Sequence, residues 1–300
     1  MKARPRLVLL SLAAAVSVAT AIYCGVTYGP WSSGPGVEGE RTRGFTTILS
    51  EDRQVLLRTG LAVSAGDELI HGAENAHYII FRVLGRTAVA RLAAPVQATT
   101  NDPPATGSKA IVIYHTHSDE SYTPEDGTPV IPGNGSIFEV GMTFSEALRG
   151  EGFVVVVDPT RHDPHDNQAY IRSRRTVFQD IQMYSPFAVF DLHRDSAPAS
   201  DYLINIGGQQ VQEIMIVVGR QNPTMAANLF VAKQLKATAD TLYPGLVKAI
   251  FMGHGNYNQD LMAAALLIEF GTETAPRAAA NQSAKLMADV VAQTFNPTAP

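Results

Sequence analysis

Three short segments carry side chains able to hold a metal ion or move a proton, and each sits where an apolar run ends. Tyr114-His115-Thr116-His117-Ser118-Asp119-Glu120 follows the run that starts at Ala110; Asp191-Leu192-His193-Arg194-Asp195 closes the run that starts at Phe187; Glu269 closes Ala264 to Ile268. Imidazole and carboxylate are the usual non-sulfur ligands of Zn²⁺. His115 and His117 are two apart and share a face in an extended chain, as do Asp191, His193 and Asp195. A carboxylate beside a histidine accepts its second N–H and fixes the tautomer that binds metal. Glu269 is costly to bury without a partner. Desolvation there raises its pKa, which suits a general acid/base. Taken singly, each segment also reads as an ordinary polar strand end. Taken together they contain what a zinc hydrolase needs: protein ligands, an open position for water, and a carboxylate to move that water's proton.

The elements that must position these residues follow a regular alternation. Ala110 to Tyr114, Phe153 to Val157, Phe187 to Leu192, Val247 to Phe251 and Ala264 to Phe270 read as buried strands. Ile137, Val140, Phe144 and Leu148 recur at helical spacing, and Gln168 to Tyr184, Thr224 to Leu242 and Pro276 to Thr294 read as further helices. Tyr202 to Ile206 and Val211 to Val218 flank Gly207-Gly208 and read as a hairpin. The fold class is therefore α/β: a mixed, mostly parallel sheet with helices on both faces. In such sheets, sites lie at the carboxyl ends of strands.

Upstream, the pattern changes. Lys2, Arg4 and Arg6 precede an uncharged run from Leu7 to Tyr28, long enough for the ~30 Å hydrocarbon core at ~1.5 Å per residue. No positive residue follows until Arg41, so the positive-inside rule exports everything after the run. A cleaved signal peptide, with its site among the small residues of Ala13 to Ala21, is the competing reading. The domain plan is an anchor over 1–29, a Gly/Ser-rich linker over 30–49, a small β-rich module over 50–94, a Pro/Thr-rich linker over 95–108 and a catalytic domain over 109–300. His71 and His77 in the β-rich module have no close set of metal ligands beside them and read as surface or core histidines.

Composition narrows the classes. The 300 residues are 45% hydrophobic and 17% charged, a globular balance. The net charge of −5 and scattered basic residues argue against a nucleic-acid partner. The single cysteine, Cys24, falls in the membrane run, which removes internal disulfides and cysteine-type metal sites; bulky Tyr23 before it is unlike a lipobox.

The ordered set Ile113-Tyr114-His115-Thr116-His117 with Glu120-Ser121-Tyr122, Asp191-Leu192-His193-Arg194-Asp195-Ser196, Val218-Gly219-Arg220-Gln221-Asn222-Pro223, Tyr257-Asn258-Gln259-Asp260-Leu261 and Leu267-Ile268-Glu269-Phe270-Gly271-Thr272 resembles the stage II sporulation protein P family, which is related to zinc-dependent N-acetylmuramoyl-L-alanine amidases. Arg161-His162-Asp163 and Tyr170-Ile171-Arg172-Ser173 also fit, as does the layout of anchor and β-rich module. The resemblance implies Zn²⁺ held by His117 and His193 with Glu120 or Glu139 as third ligand, Glu120 being favoured. It implies Glu269 as general acid/base, and His115 and Asp191 in supporting positions. Arg194, Arg220, Asn222 and Asn258 are candidate substrate contacts, because peptide stems carry carboxylates and amides; they read equally as structural hydrogen-bonding residues near the site. The implied activity is hydrolysis of the N-acetylmuramoyl-L-alanine bond of peptidoglycan, with cross-link endopeptidase activity and an inactive wall-binding scaffold as alternatives. The implied location is the extracytoplasmic side of the cell membrane, alongside other wall hydrolases or engulfment-type membrane proteins resembling stage II sporulation proteins D and M.

Overall fold

Strands β1 (Thr46–Ser50), β2 (Val55–Thr59), β3 (Glu68–His71), β4 (Ala76–Leu84) and β5 (Thr87–Leu92) come first in the chain. The computed structural model describes residues 39–95 and 109–295. After the second described stretch begins, β6 (Ala110–Tyr114) leads through a one-turn helix α1 (Thr123–Asp126) into α2 (Ile137–Gly150) and β7 (Val154–Val157). Helix α3 (Ala169–Tyr184) precedes β8 (Ala188–Asp195), and a hairpin of β9 (Leu203–Ile206) and β10 (Gln209–Gln212) follows. Then come β11 (Ile214–Gly219), α4 (Met225–Leu242), β12 (Val247–Gly253), β13 (Ala265–Thr272) and α5 (Arg277–Phe295).

Eleven strands form one mixed sheet in the order β2-β1-β5-β4-β3-β12-β11-β13-β8-β6-β7. From β12 to β7 every neighbouring pair is parallel except β11 with β13. The β-rich stretch is continuous with this sheet, because β3 pairs antiparallel with β12 from His71–Ala249 to Glu68–Met252. Strand β1 begins at Thr46, inside the stretch that composition reads as linker. Its residues alternate buried and half-buried, but Thr46-Thr47 carries little hydrophobic signal.

Each face of the sheet has its own core. Val140, Phe144 and Leu148 of α2, Leu235 of α4 and Met287 and Val291 of α5 pack with Ile111, Phe190, Ile216, Ile250 and Ile268 on one face. On the other, Val177 of α3 meets Val112, Tyr114 and Val189. Farther along that second face, Ile48, Leu57, Leu61, Ile80 and Ala88 join Met215, Val217, Phe251 and Leu267 in one cluster. Strands lie ~4.8 Å apart, so β1, four places from β12, reaches that cluster only because the twisted sheet curls back over itself. Helices thus cover one face, while α3 and the sheet's own first strands cover the other.

The helices stand where the periodicity places them, within a residue or two. Besides β1, two elements differ. Strand β8 runs on to Asp195, so His193 and Asp195 lie within the ladder rather than beyond it. The hairpin arm expected over Val211 to Val218 is divided at Glu213: Gln209–Gln212 pairs with β9, and Ile214 onward joins the main sheet. Among the described residues no helix is long and apolar enough to cross a membrane. The anchor expected over 1–29 lies outside the described residues.

Asp180 of α3 gives one stability expectation. Burial, with Asp158 beside it, raises its carboxyl from 3.8 to about 6. The folded protein holds this proton more tightly than the unfolded chain. Its favourable contribution is present below pH ~4 and is lost as pH rises through about 6. Asp180→Asn is expected to stabilise the fold at pH 7.5 by about 1 kcal/mol, allowing for screening at a partly exposed site, and to change little at pH 3.5. Denaturant melts at the two pH values check this.

Candidate metal centre

Strand order brings the three chemistry-bearing segments together. β8 lies between β13 and β6, parallel to both, so all three carboxyl ends point the same way. In the β13–β8 ladder Glu269 is directly opposite His193.

The loop after β6 is shaped by bonds to β8. The backbone N–H of Thr116 donates to Asp191 Oδ1 at 2.8 Å, and its hydroxyl donates to Oδ2 at 2.6 Å. This bend ends the extended geometry, so the two histidines diverge. The His115 ring lies 4.4 Å from the Phe138 ring, and its Nδ1–H donates to the Leu192 carbonyl at 3.0 Å. Burial lowers its pKa to about 4, which keeps it neutral. His117 turns instead toward His193, with ring centroids 5.0 Å apart. The chain then folds tightly through Glu120, whose carbonyl accepts from the Ile137 N–H at 3.0 Å. Gly135 passes so close that a Cβ would stand 2.4 Å from the Glu120 carbonyl oxygen, so only glycine fits there. Tyr122 ties the loop to β13 by donating to the Phe270 carbonyl at 2.8 Å.

One donor atom each from Glu40, His117, Glu120 and His193 lie within 4.8 Å of one another. Glu120 Oε1 is 3.3 Å from His117 Nδ1 and 3.4 Å from His193 Nδ1. Glu40 Oε2 is 3.0 Å from His117 Nδ1 and 3.2 Å from His193 Nδ1. Nitrogen and oxygen ligands at zinc's usual bond lengths stand roughly 3.3 Å apart around a tetrahedron, so this spacing fits the ion. The orphaned atoms agree with it. Glu120 Oε2 accepts from the Arg194 N–H at 2.9 Å, whereas its buried Oε1 has no hydrogen-bond partner. On the far side of His193, Nε2 is 3.0 Å from Asp191 Oδ1, the arrangement that holds a ligand imidazole in place.

The electrostatics favour a cation. Burial pushes the His117 pKa down, but the Glu120 and Glu40 carboxylates outweigh it and raise it to about 9. For His193, burial is overcome by Asp191 and Glu120, and the pKa stands well above its ordinary value. Burial likewise pushes Glu120 up, yet Arg194 and His193 hold it well below the ordinary range. Without a metal, protonated imidazoles neutralise these carboxylates; a metal ion would take over that role as the rings lose their protons. Glu269 is fully buried, and neither carboxylate oxygen has a hydrogen-bond partner. Burial first, then the nearby Glu40 charge, raises its pKa well above the ordinary value.

The other residues singled out by sequence are placed as follows. Glu139 lies on the exposed side of α2, its carboxylate 3.1 Å from the Arg277 guanidinium, and is not among the grouped donors. Arg194 is wholly buried; its guanidinium donates to the Pro129 carbonyl at 2.9 Å and stands 3.8 Å from both Glu40 and Glu120. Arg220 pairs with Glu68 at 3.2 Å. Asn222 holds the turn before α4, accepting from the Thr224 N–H at 2.9 Å. Asn258 donates to Ser173 Oγ at 3.0 Å, and Ser173 bonds Thr116 at 2.7 Å, so it supports the loop through Thr116 and Asp191. Sequence reasoning missed Glu40, which follows Glu38 in a Gly-rich stretch with no local signal. It also missed His165, which stacks on His117 at 3.9 Å and pairs with Asp119 at 3.0 Å.

The sequence profile of Stage II sporulation protein P (SpoIIP) matches residues 87–292, more than half of the 300-residue chain. The chain belongs to the stage II sporulation protein P family. Stage II sporulation protein P of Bacillus subtilis (strain 168) is 30% identical to it over 215 residues, 65% of this chain and 54% of that protein. The chain thus spans about half the length of this curated family member. Among solved structures, N-acetylmuramoyl-L-alanine amidase AmiC2 of Nostoc punctiforme is 14% identical, covering 64% of this chain and 98% of that one at a TM-score of 0.38. An N-acetylmuramoyl-L-alanine amidase from Clostridium difficile 630 is 12% identical, covering 64% and 97% at a TM-score of 0.37.

Asp191 is the member of the site most readily tested alone. Asp191→Asn keeps the shape but removes the charge beside His193, and is expected to weaken zinc binding by roughly ten- to a hundredfold. Competition against a chromophoric chelator measures this.

Proposed function

We propose that this protein is a zinc-dependent peptidoglycan hydrolase cleaving the N-acetylmuramoyl-L-alanine amide bond. The reading places it at the cell membrane through residues 1–29, with the domain after 109 facing the wall. The observation that carries it is the convergence of His117, His193 and Glu120 donor atoms beside the buried, unpaired carboxyl of Glu269. Family membership supports the reading from outside the geometry.

In this mechanism His117 Nδ1, His193 Nδ1 and Glu120 Oε1 would hold the zinc ion. Zinc in such a site supplies a Lewis acid for the scissile carbonyl and lowers the pKa of water toward ~7. Glu269 takes the proton from the attacking water and returns it to the departing amine nitrogen of L-alanine. It is fully buried within β13, and the ladder sets it opposite His193. Asp191 sets its carboxylate 3.0 Å from the outer nitrogen of His193, an ion-pair contact that favours this ring position. Arg194 holds Glu120 ionised, because its charge is the largest influence opposing burial there. Peptidoglycan is the substrate partner, and membrane proteins of the engulfment type belong to the same reading.

The test is digestion of purified sacculi by the full chain, with and without zinc, followed by mass spectrometry. The expected products are free stem peptides beginning with L-alanine, lost on chelation. Stems separated from each other but still sugar-linked would replace the amidase reading by cross-link cleavage. Bound zinc without any release would leave a wall-binding scaffold. Glu269→Gln is expected to keep its zinc and lose activity by roughly 10²–10⁴-fold. His117→Ala and His193→Ala are expected to lose the metal itself, as read by metal content.

A further inference from the structure

The donor group has one carboxylate more than hydrolysis can use. Catalytic zinc sites keep three protein ligands and an open position, whereas sites closed by four protein ligands are structural. Here both imidazoles face Glu120 at 3.3 and 3.4 Å and also face Glu40 at 3.0 and 3.2 Å. The Glu40 side chain is buried, and its Oε1 has no hydrogen-bond partner.

Glu40 comes from a different part of the chain than the other three donors. Its hold on the protein is slight. Glu40 forms an isolated antiparallel bridge with Leu61; beside it the Arg41 N–H donates to the Gly60 carbonyl at 3.1 Å and the Ala62 N–H to the Gly39 carbonyl at 2.6 Å. Gly60 and Leu61, by contrast, are firmly fixed. The Gly60 N–H donates to the buried Asp195 at 2.6 Å, and a Cβ on Gly60 would stand 2.7 Å from Ser196 Cβ. Leu61 is fully in the core. A fixed receiver on the main sheet therefore holds a short segment by a few backbone bonds, and that segment delivers one carboxylate into the metal group.

We propose that Glu40 is a displaceable fourth metal ligand, and that the segment 39–44 is a latch holding the site in a closed, latent form. Substrate and water need the position that Glu40 fills. Release of the segment from Gly60 and Ala62 withdraws the carboxylate and its hydrogen bonds to the two imidazoles, while Glu120 keeps the Arg194 N–H, His193 keeps Asp191 beside it and His117 keeps its stacking on His165. This inference rests on the zinc-hydrolase reading of the site.

The experiment uses the full chain loaded with Co²⁺ as a spectroscopic stand-in for zinc, titrated with azide as a small ligand for an open position. If the open form is a tenth of the population or less, removing the latch tightens apparent azide binding by about tenfold or more. Glu40→Ala is expected to bind one Co²⁺ per chain, to show this tighter azide spectrum, and to solubilise sacculi faster than wild type. Glu40→Gln, which keeps the shape but is a poorer ligand, is expected to shift the same way and serves if the alanine variant does not fold. Unchanged azide affinity in a metal-loaded, folded variant overturns the latch and leaves the hydrolase reading standing. Loss of the metal in both variants also overturns it, since Glu40 would then be a required resident ligand. A wild-type chain that takes up neither zinc nor Co²⁺ ends the zinc reading and the latch with it.

Discussion

Two carboxylates facing two imidazoles in a buried space are tolerable only if positive charge lies among them. That constraint organises the structure around the site. Like charges in a region of low dielectric repel strongly, and an unpaired buried ion is far costlier than a hydrogen-bonded one. The protein meets this with a fully buried Arg194 at 3.8 Å from both Glu40 and Glu120, and with histidines whose pKa values are driven upward. A divalent cation does the same work more compactly. The ligand set and its surroundings are therefore one electrostatic unit, and Arg194 belongs to it as counter-charge.

The loop between β6 and α2 keeps that unit in register. It is bound to β8 through Asp191, to β13 through Tyr122 and to itself through the Glu120–Val130 bridge. Each bond is to a backbone group or a buried carboxylate, so the loop has few ways to shift without leaving an unsatisfied polar atom. The α/β sheet contributes the remainder: parallel β6, β8 and β13 deliver residues far apart in sequence to one edge.

How much of this was legible in the sequence depends on the length over which each signal is written. Helices α2 to α5 repeat their apolar positions over fourteen residues or more, and strand runs such as Ala265–Ile268 are unbroken. These signals are local and redundant. The strands supplying His117, His193 and Glu269 could be named for the same reason. Strand β1 was hidden because three of its five residues are threonine or serine, which leaves it little hydrophobic signal. The divergence of His115 and His117 was hidden because it depends on Thr116 bonding to a residue seventy-five positions away. Glu40 was hidden most completely: one of two acids in a Gly-rich segment, it becomes a donor only through the bridge to Leu61, which no local pattern encodes.

Asp195 shows why the first strands and the candidate metal group are not independent. It lies two residues beyond His193 on β8, is fully buried, and accepts from Thr59 Oγ1 at 3.0 Å, Gly60 N at 2.6 Å, Ser196 N at 2.6 Å and Tyr202 Oη at 2.6 Å. Burial still outweighs these bonds and raises its pKa to about 6. Two of the four donors come from the end of β2, the segment that receives residues 39–44. A displacement of β2 would deprive a buried carboxylate of half its donors, so β2 stays with β8. The part left free to move is the short stretch before β1, whose backbone attachment is confined to the bridge at Leu61 and whose one buried side chain is Glu40. The curled sheet thus separates a rigid platform from a releasable strap, and it does so within two residues of His193, one of the grouped donors.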